Sequence, residues 1–258
     1  MTHGINMLSV LRFYVPNSAD NYNYIVFCPN SLHAFAVDPF NAELVQEKLD
    51  LHGLQIVGIL LTHEHADHTS GVTQLQTRHN IPVYGHSDID HVTFPVLDDQ
   101  KLPLGDGNIT AIFTPGHTLK HFCFLGQDQL SPYLICADTI FNAGVGNTYS
   151  GDTDVLFATI KKLESLALDT KIYPAHDYMI NNLDFLLSLE PGNNTATETK
   201  MQNRELAPDD REVTNWGKEH QINPFLRLNN NEIINNLNVD DRSELGVFRA
   251  LRLLRNQW

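Results

Sequence analysis

The stretch Leu60-Leu61-Thr62-His63-Glu64-His65-Ala66-Asp67-His68-Thr69-Ser70 directly follows an apolar run and places three histidines and one aspartate within six residues. We expect the strand predicted over Ile56 to Leu61 to extend through His63 and His65. Both imidazoles would then lie on one side, because alternate residues of a strand share a face. The spacing therefore predicts two nitrogen ligands on a single face.

Asp67 and His68 follow after one small residue, and Ser70-Gly71 precedes a helical pattern that starts at Val72. The chain is therefore predicted to turn from strand into helix near Ser70, so that the second pair points toward a neighbouring position. Imidazole and carboxylate groups are suitable ligands for Zn or Fe. Ordinary polar loop residues are the alternative interpretation, but buried imidazoles beside a carboxylate need a cation or dense hydrogen bonding to offset desolvation. The pattern predicts half of each of two adjacent metal sites.

The composition is that of a globular protein that does not cross a membrane. Of 258 residues, 42% are hydrophobic and 19% charged, and no apolar run reaches the roughly 18 residues that a membrane span requires. The segment after Met1–Asn6, which we expect to be a short extension, lacks the features of a secretory signal. Three widely separated cysteines offer no disulfide framework, which favours a reducing compartment. We therefore expect a cytoplasmic protein, and a monomer.

The net charge of −14 argues against nucleic acid as a partner, because phosphate binding requires a basic surface. Residues 245–258 differ from the rest, since they contain Arg249, Arg252 and Arg255 and no acidic residue. These arginines recur every third residue and are predicted to form one stripe on a helix, suited to two carboxylates. The alternative is that they complement the helix C-terminus or cover apolar surface with their stems.

Further histidine and aspartate residues stand at the ends of predicted strands. His117 follows the strand over Ile109 to Phe113, Asp138 follows a strand that ends at Ala137, and His176 follows Lys171-Ile172-Tyr173. A carboxylate in such a position can bridge two cations with its two oxygens. The intervening glycines, at 144, 146 and 151, predict a loop in that segment.

Strand alternation ends near residue 178, and helical patterns follow. One of them, Thr195 to Leu206, begins with the capping-box spacing of Thr195 and Glu198. The order of strands and helices before this point indicates an α/β fold. We therefore predict a metal-binding catalytic domain over residues 1–178 and a helical substrate-binding domain over residues 179–258.

Five motifs resemble the metallo-β-lactamase superfamily and, within it, the hydroxyacylglutathione hydrolase (glyoxalase II) family. They are Thr62-His63-Glu64-His65-Ala66-Asp67-His68, Thr114-Pro115-Gly116-His117-Thr118, Ala137-Asp138-Thr139-Ile140-Phe141, Pro174-Ala175-His176-Asp177-Tyr178, and the tail from Ile180 through Asn223-Pro224-Phe225 to Phe248-Arg249-Ala250-Leu251-Arg252. The resemblance implies an αββα sandwich of metallo-β-lactamase type with a C-terminal helical domain.

By position in the motifs, the resemblance implies ligand sets for two divalent metal ions, with Zn expected and Fe or Mn as alternatives. The first set is His63, His65 and His117, the second is Asp67, His68 and His176, and Asp138 bridges the two. The carboxylates Asp67 and Asp138 are thereby the candidate catalytic residues. Two cations lower the pKa of a shared water toward ~7, so the expected nucleophile is metal-bound hydroxide rather than a side chain.

The resemblance also implies contacts with glutathione, by Asn147, Tyr149, Tyr178, Arg252 and Arg255. Two of these positions depart from the family pattern, because Asn147 stands where lysine or arginine is usual and Arg255 where lysine is common. Glu64, inside the histidine motif, is also less usual in the family.

The implied activity is hydrolysis of S-D-lactoylglutathione, or another 2-hydroxyacylglutathione, to the hydroxy acid and glutathione, the second step of methylglyoxal detoxification. The form Thr-His-Glu-His-Ala-Asp-His is similar to that of iron-dependent persulfide dioxygenases, which gives the alternative of a mononuclear iron enzyme acting on glutathione persulfide. A non-enzymatic metal-stabilised binding module is disfavoured, because structural zinc sites usually close with four ligands and seven are available here.

Overall fold

A computed structural model describes residues 7–258, so that the predicted extension Met1–Asn6 lies outside the described residues. The chain forms two compact units. Unit 1 comprises the described residues up to Thr114 together with Lys120–Ile135, and unit 2 comprises Pro115–Leu119 and Cys136–Trp258. The domain boundary predicted near residue 178 falls inside unit 2 and stays a prediction.

Unit 1 contains a six-stranded sheet in which sequential strands are neighbours. Its first three strands pair antiparallel and the others parallel. The strands are β1 (Ser9–Val15), β2 (Asn21–Phe27), β3 (His33–Val37), β4 (Gln55–Leu60), β5 (Val83–Gly85) and β6 (Phe94–Pro95).

Three helices of unit 1 connect the parallel strands: α1 (Ala42–Leu51), α2 (Ala66–Thr69) and α3 (Val72–His79). Asn41 caps α1 by accepting the N–H of Leu44. The buried side chains Val45 on α1 and Leu75 on α3 belong to one apolar cluster with side chains of the sheet. This core fixes the ends of β3 and β4.

An antiparallel set of strands in unit 1 runs in the order β10, β9, β8, β7. These strands are β7 (Lys101–Leu104), β8 (Gly107–Phe113), β9 (Phe122–Gln127) and β10 (Pro132–Ala137), the last of which continues into unit 2. Strands β9 and β10 form a hairpin, and Asp128 holds its turn by accepting the N–H groups of Leu130 and Ser131.

Unit 2 is mostly helical. It contains β11 (Ile140–Phe141), β12 (Gly144–Val145), α4 (Thr153–Leu163), β13 (Lys171–Pro174), α5 (Met179–Leu189), α6 (Asn194–Asn203), α7 (Trp216–Ile222), α8 (Asn231–Leu237) and α9 (Glu244–Arg255), with 3-10 turns at Pro208–Asp210 and Pro224–Leu226. Helix α9 packs against α4, where the rings of Phe248 and Phe157 meet edge to face.

Two local predictions in unit 2 are wrong. The cap of α6 is Asn193, which accepts the N–H of Ala196, rather than Thr195, because Asn193 precedes the first helical residue. The glycine-rich segment predicted as a loop contains the antiparallel hairpin of β11 and β12, joined by Asn142 and Ala143. Buried partners from distant parts of the sequence hold this hairpin, as described below.

Among residues 7–258, no helix is long and apolar enough to cross a bilayer. The three cysteines are buried and unlinked.

Candidate functional site

The histidine-rich segment of unit 1 begins where β4 ends, at Leu60, and α2 already starts at Ala66. The prediction that the strand extends through His65 is therefore wrong. The helix predicted from Val72 is confirmed as α3, and α2 is an additional short helix before it. The rings of His63 and His65 meet nearly edge to face, with Nε2 of the first 3.1 Å from Nδ1 of the second. The turn into α2 also brings His68 to a centroid distance of 4.0 Å from His63.

Asp38 orders this segment, although the sequence analysis assigned it no role. It lies directly after β3 and is 5% exposed. Its Oδ1 accepts the N–H of Thr62 at 2.8 Å, and its Oδ2 lies 2.6 Å from the Thr62 hydroxyl and 2.9 Å from Nδ1 of His68. Because β3 and β4 are parallel neighbours, the residues that follow them meet at one edge of the sheet. The Asp-Pro sequence after a strand was the available signal.

These contacts determine which ring nitrogens carry protons. His68 donates from Nδ1 to Asp38, which leaves Nε2 as an electron-pair donor. The Thr62 hydroxyl donates its proton to Asp38, so its oxygen accepts from Nδ1 of His63, 2.9 Å away. Nε2 of His63 is therefore an electron-pair donor as well. One buried carboxylate thus fixes the tautomers of two candidate ligands.

Asp67 is the carboxylate of the segment that lies next to His68. Its Oδ2 lies 3.5 Å from Nε2 of His68 and accepts a hydrogen bond from Asn21 at 3.3 Å. Gly71 allows this turn to lie close to the loop after Asp38, because a Cβ there would be 2.3 Å from the carbonyl oxygen of Pro39. Glu64 takes no part in the buried contacts of Asp38: its side chain is one-third exposed and 3.9 Å from Lys120.

The second candidate cluster lies in unit 2, where His117, Asp138 and His176 are all buried. Nε2 of His117 is 3.3 Å from Oδ2 of Asp138, and Nε2 of His176 is 3.3 Å from Oδ1. The carboxylate thus presents a different oxygen to each imidazole, as a bridging ligand would.

Neighbouring groups hold both imidazoles in place. Nδ1 of His117 donates to the carbonyl oxygen of Asn147 at 2.8 Å, which leaves Nε2 as the electron-pair donor. His176 stacks on Tyr178, with centroids 4.9 Å apart and planes 6° apart. The donor chemistry of each cluster, imidazole nitrogen with carboxylate oxygen, fits a divalent cation such as Zn.

A cavity of about 300 Å³ lies within unit 2. All five side chains predicted to contact the substrate line it: Asn147, Tyr149, Tyr178, Arg252 and Arg255. Tyr149 is 75% exposed at its rim, whereas Arg252 is 5% exposed. Asn181, Asn182 and Trp258 complete the wall together with neighbouring residues.

Uncharged groups hold the two arginines of the cavity. Nη1 of Arg252 donates to the carbonyl oxygens of Val145 and Gly146 at 2.9 and 3.0 Å, and its Nε donates to Asn256. Nε and Nη2 of Arg255 both donate to Oδ1 of Asn182. Among the described residues, no carboxylate pairs with either guanidinium.

The environment of these guanidiniums disfavours their positive charge. Burial, together with the neighbouring charge of Arg255, lowers the pKa of Arg252 to about 10. Burial likewise lowers the pKa of Arg255. A bound anion would offset this cost by favouring the charged forms. The cavity is therefore suited to a ligand with carboxylate groups.

The predicted stripe of three arginines does not act as one surface. Arg249 is exposed, makes a two-point pair with Asp154 on α4, and does not line the cavity. Asn147 accepts the N–H of Tyr149 through its side chain at 3.3 Å. It thus orders the loop that carries Tyr149, while its backbone carbonyl oxygen holds His117 on a separate loop.

Two protein families match this chain. Residues 34–180 match the metallo-beta-lactamase superfamily, and residues 177–258 match the family described as hydroxyacylglutathione hydrolase C-terminus. A hydroxyacylglutathione hydrolase from Francisella tularensis subsp. novicida (strain U112) is 32% identical over 256 residues, covering 97% of this chain and 100% of that protein. Another, from Marinomonas sp. (strain MWYL1), is 36% identical over 218 residues, covering 83% and 84% of the two chains.

Solved structures share the fold at lower identity. A metallo-beta-lactamase from Staphylococcus aureus subsp. aureus COL has a TM-score of 0.65 at 21% identity, covering 97% of this chain and 72% of that chain. ETHE1 from Myxococcus xanthus has a TM-score of 0.64 at 22% identity, covering 95% and 99%. The predicted fold class, an α/β fold of metallo-β-lactamase type with a C-terminal helical domain, is confirmed.

Proposed function

The chain belongs to the hydroxyacylglutathione hydrolase family of the metallo-β-lactamase superfamily, and from this premise we propose that it hydrolyses 2-hydroxyacylglutathione thioesters such as S-D-lactoylglutathione. The products are the hydroxy acid and glutathione. One observation carries the choice of substrate: the buried guanidinium of Arg252 and the partly buried one of Arg255 line a cavity with Tyr149 and Tyr178 and have no carboxylate partner among residues 7–258. Glutathione brings two carboxylates.

We propose that seven side chains hold two divalent cations, with Zn expected and Fe or Mn as alternatives. They are His63, His65, Asp67, His68, His117, Asp138 and His176. When bound, such cations polarise the thioester carbonyl and lower the pKa of water toward neutrality. Support comes from the chemistry of the donor groups in each unit and from the position of Asp138 between two imidazoles.

The side chains of this protein would contribute orientation and charge. Asp38 keeps the proton on Nδ1 of His63, through Thr62, and on Nδ1 of His68. Arg252 and Arg255 would bind the glutathione carboxylates with charge-assisted hydrogen bonds. The departing thiolate, from a thiol of pKa near ~8.5, needs little protonation, so no general acid is required.

The alternative is a mononuclear iron persulfide dioxygenase, and its support in the sequence is Glu64. That side chain lies beside Lys120 at the surface. Metal content and oxygen consumption distinguish the two reactions.

The test is an assay of the purified protein with S-D-lactoylglutathione, in which a thiol reagent follows glutathione release and elemental analysis gives the metal content. We expect hydrolysis and close to two metal ions per chain. A thioester that lacks the glutathione carboxylates is the matched control substrate and should react poorly. Oxygen-dependent consumption of glutathione persulfide by a protein with one iron, without thioester hydrolysis, would overturn the proposal.

We further propose a monomer that works in the cytoplasm, where glutathione keeps thiols reduced. Three buried, unlinked cysteines support the location. Light scattering during gel filtration tests the oligomeric state.

A further inference from the structure

We propose that Asn182 is a positioning residue for recognition of the substrate, because it orients the guanidinium of Arg255 without neutralising it. The inference rests on the proposed function and goes beyond it by assigning a role to a residue that need not touch the substrate's carboxylate itself.

The side chain of Asn182 is fully engaged at both ends. It lies on α5 and is almost completely buried. Its Oδ1 accepts from Nε and Nη2 of Arg255 at 3.2 and 3.0 Å, while its Nδ2 donates to the carbonyl oxygen of Asn142 at 2.9 Å. The contact with Asn142 sets the direction of the amide, because only the nitrogen can donate to that carbonyl. Oδ1 is thereby directed at the guanidinium.

The hairpin of β11 and β12 supports both arginines of the cavity. It binds Asn182 through Asn142 and provides the carbonyl oxygen of Val145 to Arg252. Gly144 is required for the close approach, since a Cβ there would lie 2.7 Å from Nδ2 of Asn182. The amide and the hairpin therefore fit each other closely.

Other residues anchor the hairpin independently of Asn182. Ala143 has a left-handed conformation, with φ of +58°, and Glu219 accepts its N–H at 2.9 Å. Asn223 donates to the carbonyl oxygen of Gly144 at 2.9 Å. Burial raises the pKa of Glu219. Hydrogen bonds from four donors oppose this rise: Thr214, the backbone of Ala143, Asn223 and Asn142. Because these contacts persist without Asn182, its removal should disturb Arg255 rather than the hairpin.

A neutral acceptor has a specific consequence for recognition. An aspartate in place of Asn182 would hold the guanidinium more strongly but would cancel its charge. The amide oxygen instead fixes two of the guanidinium nitrogens, Nε and Nη2. The delocalised positive charge of the group and its Nη1 stay available to a carboxylate of the ligand. Asn182 thus orients the guanidinium of Arg255 without competing with the ligand for its positive charge.

The experiment is a double-mutant cycle of Asn182→Ala and Arg255→Ala, measured as KM and kcat for S-D-lactoylglutathione and as the Kd of S-methylglutathione by calorimetry. We expect Asn182→Ala to raise KM and Kd by about three- to tenfold, the effect of losing a hydrogen bond to a charged group, with kcat within about twofold. In the Arg255→Ala background it should add nothing. Asn182→Asp should weaken binding at least as much as Asn182→Ala, because the carboxylate would neutralise Arg255.

The matched control is Asn203→Ala. Asn203 is also a buried helical asparagine, and its side chain bonds the carbonyl of Thr199 and the N–H of Glu212, away from the cavity. It should leave KM and Kd unchanged. If Asn182→Ala does not fold, as judged by its thermal melt, Gly144→Ala perturbs the same amide and should raise KM and Kd while kcat stays within about twofold.

The inference is overturned if the effects of Asn182→Ala and Arg255→Ala add, or if kcat falls with KM and Kd unchanged. Failure of the proposed function is a separate result, since the wild-type protein would then neither bind S-methylglutathione nor hydrolyse the thioester. A wild type that does both, with an Asn182→Ala variant indistinguishable from it, rejects only the role of Asn182.

Discussion

The histidine segment of unit 1 and the arginine cavity of unit 2 are both buried polar regions, but they need opposite partners. In the first, Asp38 keeps the ring protons of His63 and His68 on Nδ1, so that the lone pairs on Nε2 are available to a cation. In the second, carbonyl and amide oxygens hold Arg252 and Arg255 and leave their positive charge for an anion. The hydrogen-bond partner that positions a side chain therefore determines whether the site can accept a cation or an anion.

The same comparison separates two arginines on α9. Arg249 has a carboxylate partner, Asp154, and is exposed, whereas Arg252 has carbonyl partners and is buried. Only the second keeps its charge for a ligand. Four substitutions, in decreasing order of expected effect, test this contrast between the cation-binding and anion-binding regions.

Asp138→Ala should have the largest effect, because one carboxylate lies against two imidazoles through different oxygens. We expect loss of much of the metal and a fall in activity greater than the roughly 100-fold seen when only an outer partner of a ligand is removed. Elemental analysis and the thioester assay measure both. Asp184→Ala, which removes a surface carboxylate beside Lys200, is the control. An Asp138→Ala protein with two metals and full activity would refute the bridging role.

Asp38→Ala should weaken metal binding by roughly 10- to 100-fold, because the tautomers of His63 and His68 are then no longer fixed. Competition with a chromophoric chelator gives the affinity. Thr62→Val is the matched variant, since it removes the link to His63 and keeps the contact of Asp38 with His68; its effect should be smaller. Equal affinity in wild type and Asp38→Ala would show that Asp38 serves the fold alone.

Arg252→Ala should raise KM for S-D-lactoylglutathione about tenfold to hundredfold and change kcat little. A contact with a carboxylate remote from the reacting carbonyl is about equally strong in the ground and transition states, and a hydrogen bond to a charged group contributes ~1.5 to 3 kcal/mol. Steady-state kinetics at two salt concentrations measure the effect, which should shrink as salt screens the charges. An unchanged KM would remove the main support for the substrate outside the metal ligands.

Arg249→Ala should have the smallest effect, with KM unchanged within error. Exposed ion pairs contribute little, and Arg249 does not line the cavity. The same assay measures it beside Arg252→Ala. A rise in KM comparable with that of Arg252→Ala would mean that the three arginines act as one stripe after all.

The sequence predicted most of unit 1 because the information there is local. The apolar run that ends at Leu61 predicted β4, and the helical pattern from Val72 predicted α3. The histidine segment was recognised because its residues are contiguous. Asp38 was missed because its contact with His68 depends on the parallel pairing of β3 and β4, which no local pattern reports.

Unit 2 was predicted less well because its structure depends on distant partners. Gly144 and Gly146 indicated a loop, whereas Glu219 and Asn223 hold that segment as a hairpin. The residues of the cavity were assigned by resemblance to a family and not by spacing. The three-residue spacing of the arginines suggested that Arg249 would share in binding carboxylates of a ligand. Its ion pair with Asp154 does not support that role.

The long reach of these hairpin contacts has a consequence for the order of events during synthesis. The hairpin of β11 and β12 obtains its buried carboxylate from a residue 76 positions later, and Arg252 bonds a carbonyl 107 positions earlier. At about 5 to 20 residues per second, several seconds separate translation of the hairpin from that of its last partner. The histidine segment and Asp38 are only 30 residues apart, so their contacts close a much shorter loop. A nascent chain would therefore be able to form the contacts of Asp38 with the histidine segment well before the arginine cavity is complete.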